Sequence, residues 1–141
     1  MPERRLGSAR TDTGPGRVLV AVYAVFAVAA TGRSTVQLAL DAGQAPLAYS
    51  LSALAAVIYL VATVCLARPG PATTRIAWAA VITELVGVVS VGTLSRMRPE
   101  LFPDSTVWSQ FGAGYGYLPL VLPVAGLAWL TSRLRSARSR G

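Results

Sequence analysis

Apolar residues fall into four long blocks along this chain: Val18 to Leu40, Ala45 to Ala67, Ile76 to Met97, and Tyr115 to Leu130. Short polar or proline-rich breaks separate them. A helix needs roughly 20 mostly apolar residues to cross the hydrocarbon layer of a bilayer. The first three blocks reach that length, and the fourth does so only if it runs on to Leu134. The pattern predicts an all-α membrane protein, a four-helix transmembrane bundle with a short amphipathic segment between helices three and four. Residues 1–16 read as a disordered polar tail, 17–134 as the transmembrane domain and 135–141 as a basic tail.

Composition supports this reading. The chain is 53% hydrophobic and 13% charged, whereas a soluble domain carries about 25% charged residues. A net charge of +7 would suggest nucleic acid in a soluble protein. Here the cations sit at the ends of the apolar blocks, where they act as topology signals and headgroup contacts. The expected partners are therefore the lipid bilayer and, within it, a homo-oligomer or other membrane proteins, with no nucleic acid. All 13 basic residues are arginine, which with abundant Ala, Val, Gly and Pro suggests a GC-rich bacterial genome.

The arginines predict an orientation. Arg4, Arg5, Arg10 and Arg17 precede the first block, Arg68 and Arg75 flank the second break, and Arg133, Arg135, Arg138 and Arg140 follow the fourth block. The first break, around Asp41 to Gln44, has none. Arginine excess marks the cytoplasmic side, so both termini and the middle loop are expected inside. Arg96 and Arg98 are exceptions on the outer side, with Glu100 and Asp104 nearby to pair with them. Trp78 and Trp129 fall near the inner headgroups, and Tyr49, Trp108, Tyr115 and Tyr117 near the outer ones. The start of the chain also admits a cleaved signal peptide, with Ala27-Val28-Ala29 as a small-residue site. An uncleaved span continuing to Leu40 is the favoured reading.

Local signals refine the loops and helix faces. Arg68-Pro69-Gly70-Pro71 is a tight break. Asp104-Ser105-Thr106 is placed to cap a short helix over Ser105 to Phe111. Leu101, Phe102, Val107, Trp108 and Phe111 make this outer segment amphipathic, lying in the interface or folded back over the bundle, with Leu101, Phe102, Trp108 and Phe111 as a candidate contact surface. Pro119 and Pro123 are expected to bend the fourth helix. Small residues four apart, Ala48, Ser52 and Ala56 on the second block and Ala79, Thr83 and Gly87 on the third, suggest faces for close helix packing.

The candidate chemistry is sparse. There is no histidine, which excludes imidazole-based metal or haem sites, and the single Cys65 excludes an internal disulfide. Cys65 reads as a small buried apolar residue. No serine sits in a nucleophile turn and no carboxylate pair has catalytic spacing, so no enzyme and no cofactor are expected. Glu84 stands about 12 Å into the third span at 1.5 Å per residue. An ionisable group at that depth is costly unless paired, protonated or hydrated. Arg33 sits late in the first span, where it either pairs with Glu84 or extends outward to headgroups or Asp41. Tyr59 falls near the depth of Glu84. Arg33, Tyr59 and Glu84 thus form a candidate intramembrane polar cluster. Gly114-Tyr115-Gly116 matches only the last part of a potassium-channel filter and reads as a hinge.

The stretches Pro99-Glu100-Leu101-Phe102-Pro103-Asp104-Ser105-Thr106-Val107-Trp108 and Gly114-Tyr115-Gly116-Tyr117-Leu118-Pro119-Leu120-Val121-Leu122-Pro123, with Ala45-Pro46-Leu47-Ala48-Tyr49, resemble a family of small, uncharacterised four-span integral membrane proteins of actinobacteria. The resemblance covers most of Val18 to Leu130. It implies a bacterial plasma-membrane location and brings no activity and no functional residues. The expected role is a structural or accessory subunit, with a small oligomeric transporter or proton-conducting protein built on Glu84 and Arg33 as the alternative.

Overall fold

A computed structural model of the chain describes residues 14–68 and 70–140. The described residues are helical, with no strand among them. The helices are α1 (Pro15–Asp41), α2 (Pro46–Ala67), α3 (Pro71–Met97) and α4 (Leu118–Arg140). Two short 3-10 turns, Pro99–Leu101 and Ser109–Tyr115, lie between α3 and α4. Most of the expected tail 1–16, with Arg4, Arg5 and Arg10, lies outside the described residues; Pro15 and Gly16 already belong to α1.

Proline sets three helix starts. Pro15, Pro46 and Pro71 each open a helix, where the missing N–H is one the helix would leave unbonded anyway. Hydropathy places the third block at Ile76, but α3 starts at Pro71 because nothing in Ala-Thr-Thr-Arg breaks a helix once proline has begun it. The opposite shift occurs at the fourth block. Gly116 and Tyr117 are both left-handed at φ 63°, so α4 starts at Leu118 rather than Tyr115. It then continues through the basic tail to Arg140, since cations suit the C-terminal turn of a helix. Pro119 therefore falls in the first turn and removes no helical bond. Only Pro123 lies inside the helix.

Neighbouring helices pack in chain order, and α4 returns to touch α1. Leu19, Tyr23, Phe26, Ala27 and Ala30 of α1 meet Ala55, Ala56, Tyr59 and Ala62 of α2, and Ala77, Ala80, Val81 and Val88 of α3 close the core. The outward residues are as apolar as the inward ones: Val18, Val25, Val28, Leu54, Val57, Leu60, Ile82, Val86 and Val121 are all exposed. So much contiguous apolar surface is foreign to a monomer in water and suits lipid. Helices α1, α2 and α3 are each long and apolar enough to cross a membrane. The turn Ser109–Tyr115 and α4 reach that standard only together, across a bend of 98°. Several long apolar helices make this a multi-pass membrane protein.

The segment between α3 and α4 departs most from expectation. It contains no α-helix over Ser105 to Phe111. Asp104 Oδ1 does accept from the Ser105 N–H at 2.8 Å, and Ser109 Oγ accepts from the Thr106 N–H at 2.8 Å. These capping bonds lead into a 3-10 turn instead. Gln110, Phe111 and Gly112 then take left-handed backbone in succession, at φ 51°, 63° and 82°. The turn drives Val107 and Trp108 down into the bundle, where both are buried. We call Ser105 to Tyr115 the wedge, and the end of the bundle it enters the wedge end.

A candidate site around the buried carboxyl of Glu84

Glu84 sits at the midpoint of α3, with 13 residues on either side within Pro71–Met97. That is about 20 Å from each helix end at 1.5 Å per residue. Its side chain is fully buried. The Tyr23 hydroxyl donates to Glu84 Oε2 at 2.6 Å. The other oxygen, Oε1, is buried and has no hydrogen-bond partner among the described residues. Tyr23 reaches the carboxyl because Gly126 of α4 lies opposite. A Cβ at Gly126 would stand 3.3 Å from the Tyr23 oxygen and 3.1 Å from Val81.

A second buried hydroxyl lies alongside. Tyr59 and Tyr23 stack tilted with ring centres 6.2 Å apart. The Tyr59 oxygen accepts from the indole N–H of Trp108 at 3.0 Å. Trp108 fits because α3 has no side chain at Gly87, where a Cβ would be 2.6 Å from the indole. Gly87 is three residues beyond Glu84, on the same helix face. The lower part of the wedge is therefore a wall of the carboxyl site.

A separate polar layer lies toward the wedge end. Arg33 Nη1 donates to the Tyr115 hydroxyl at 2.9 Å, and Nη2 donates to both the carbonyl and the hydroxyl of Ser105 at 2.7 Å. Asp104 Oδ2 accepts from Tyr49 at 3.0 Å and from Gln37 at 3.3 Å. Phe26 divides the two layers. Its ring lies 5.7 Å from Tyr59 on one side and 5.6 Å from Tyr115 on the other.

The expected cluster of Arg33, Tyr59 and Glu84 is thus divided. Tyr59 and Glu84 belong to the deep layer, and Arg33 does not join them. Arg33 lies ten residues along α1 from Tyr23, the partner of Glu84, or about 15 Å of helix. That exceeds the reach of an arginine side chain. Depth counted from helix ends does not reveal this, because it says nothing of the Ser105 and Tyr115 acceptors that hold Arg33. Arg33 does not run out to headgroups or to Asp41 either, because the wedge offers it acceptors.

The outer contact surface is also revised. Trp108 is 1% exposed. Phe111 packs on Gly92, where a Cβ would meet its ring at 2.3 Å. Phe102 packs against Ala45, Ala48 and Tyr49. Of the four expected contact residues only Leu101 stays exposed. The amphipathic pattern was real, but its apolar face is turned into the same chain. Among the described residues the only ion pair joins Arg98 and Glu100, as the nearby opposite charges suggested. The Arg98 guanidinium holds the Glu100 carboxyl below the usual carboxylate range.

Tyr23 is the partner of Glu84 that the sequence did not single out, and Trp108, read there as an outer contact residue, lines the deep layer instead. A signal for Tyr23 was present: Tyr23, Ala27, Ala30 and Ser34 recur at helical spacing, and all four are buried. Chemically, the deep layer offers one buried carboxyl, two phenol hydroxyls and an indole donor. Among the described residues no group of three or more His, Cys, Asp or Glu converges as metal ligands do. An open groove of about 440 Å³ near the far end of α4 is lined by Ala128, Thr131, Ser132, Arg135 and Ser136 and involves none of these groups. No protein-family model, curated protein or solved structure matches the chain.

Proposed function

We propose that the chain is a protein of the bacterial plasma membrane, crossing it four times with both ends in the cytoplasm, and that Glu84 is the proton-binding group of a small proton-coupled transporter or conducting unit. The observation that carries this reading is the fully buried carboxyl with one oxygen bonded to Tyr23 and the other without a donor among the described residues. A carboxyl placed only for structure is normally hydrogen-bonded on both oxygens, whereas one that loads and unloads a proton has an oxygen left free for it. The orientation rests on the arginines at one end of the bundle. The fourth crossing rests on α4 with the wedge filling the remaining depth, where irregular backbone is tolerated because protein surrounds it. The actinobacterial resemblance supports the location. Arg33 has no part in the proton site. With one thin bundle per chain, a pathway would form in an oligomer.

Glu84→Gln in proteoliposomes is the test. It keeps the shape and removes the exchangeable proton, so proton-driven flux should vanish while the folded fraction stays unchanged. Equal flux in variant and wild type would remove the proposal.

One observation favours the accessory reading as a second possibility. The small-residue row on α2 (Ala48, Ser52, Ala56) is buried within the chain, but Ala79 and Thr83 of α3 face outward. Close helix approach to a second membrane protein or a second copy would use that face. Cysteines at Ala79 and Thr83 should then crosslink to one defined partner in native membranes, and random capture would count against it.

A further inference from the structure

We infer that the wedge, Ser105 to Tyr115, is a removable plug over the Glu84 site, with Arg33 as the staple that holds it seated. One guanidinium grips both ends of the segment, Ser105 at one end and Tyr115 at the other. Asp104, just before the wedge, is held by Tyr49 and Gln37. The rim is thus fastened to α1 by these hydrogen bonds and by the Tyr115 ring on Phe26, and to α2 through Tyr49; the Arg33 bonds to Ser105 lie at the exposed surface.

The tip is packed into the bundle, with Val107 and Trp108 among its buried core residues. Trp108 and Phe111 lie in two notches on α3 made by the missing side chains of Gly87 and Gly92. The contacts made there are ring packing, the Trp108 bond to Tyr59 and a bond from the Gln110 N–H to Ser95 Oγ at 2.8 Å. The seated wedge also has Gln110 and Phe111 in left-handed backbone, which non-glycine residues disfavour. Backbone preference therefore works against the seated form and the staple works for it. Gly112, Gly114 and Gly116 supply the joint, and a side chain at Gly114 or Gly116 would meet nothing.

Withdrawal would free the Tyr59 hydroxyl and open the Gly92–Gly87 face of α3, which ends one turn above Glu84. A route would then run from the wedge end to the carboxyl. The motion stands on the wedge contacts; only what passes along the route rests on the reading of Glu84 as a proton site.

The test uses the full chain in nanodiscs with Trp78→Phe and Trp129→Phe, so that Trp108 alone reports. Arg33→Gln should raise acrylamide quenching of Trp108 several-fold and shift its emission to the red. In a Cys65→Ser background, a disulfide between Arg33→Cys and Ser105→Cys should hold quenching low, and reduction should release it. Unchanged, low quenching in Arg33→Gln and in the reduced double cysteine would overturn the plug. Flux separates the two ideas. A mobile Trp108 with flux indifferent to Glu84→Gln leaves the plug standing and removes the proton site. A fixed Trp108 with flux lost in Glu84→Gln does the reverse.

Discussion

Adding one methyl group at Gly87 probes the deepest contact of the wedge. A Cβ built there lies 2.6, 2.7 and 3.1 Å from three indole atoms of Trp108. Ordinary contact begins at 3.4 Å, so the ring must retreat by 0.8 Å (3.4 − 2.6). The Trp108–Tyr59 hydrogen bond is 3.0 Å long and is lost beyond about 3.5 Å, which leaves only about 0.5 Å of slack. A retreat of that size along the bond exceeds the slack, so relieving the clash in that direction breaks the bond to Tyr59. Overpacking costs about 1–3 kcal/mol and the lost bond about 1 kcal/mol more. Alanine returns up to about 1 kcal/mol through helix propensity. Gly87→Ala should therefore destabilise the bundle by roughly 1–3 kcal/mol net. Gly32→Ala is the control, because a Cβ there meets nothing within 4 Å, and it should be neutral or slightly stabilising. Unfolding in mixed micelles, with Trp108 as the only tryptophan, reads both stability and indole environment. If Gly87→Ala matches Gly32→Ala in stability and leaves the emission unmoved, Trp108 does not sit where the argument needs it.

Other outcomes follow from the same geometry. Tyr23→Phe removes the only protein donor to Glu84 among the described residues and should cost about 1–3 kcal/mol, with a shift in the infrared carboxyl band that Glu84→Gln abolishes. An unshifted band in Tyr23→Phe would show that the two groups do not meet. At the surface, Arg98 depresses the Glu100 carboxyl. Its contribution is present above the ordinary carboxylate range near about pH 4 and is lost as pH falls through the depressed value. Arg98→Ala should return the Glu100 titration to the ordinary range by NMR, and an unchanged titration would remove the pairing.

Legibility in the sequence tracked the kind of physics involved. The three long helices were readable because spanning length depends only on consecutive apolar residues. Their starts were less so: hydropathy put the third at Ile76, whereas proline at Pro71 begins it. Glu84 was readable as costly because a lone carboxyl in an apolar run costs free energy whatever surrounds it. The amphipathic pattern of Leu101, Phe102, Trp108 and Phe111 was also visible, but a pattern says that a face will be covered and not by what. Its cover proved to be Gly87, Gly92, Ala45 and Ala48 of the same chain.

What the chain order determined alone is that these helices live in lipid, and that one carboxyl among them has no charged neighbour in its own span. Which groups meet that carboxyl was decided only by tertiary structure. Tyr23 and Trp108 reach the site through the rotation of α1, the notches left by missing side chains on α3 and α4, and a left-handed turn that directs a loop inward. Each of these is a distance between residues far apart in sequence. Such distances are set by packing: spacing along one helix marks which face is buried, as at Tyr23, but not which residue of another helix meets it.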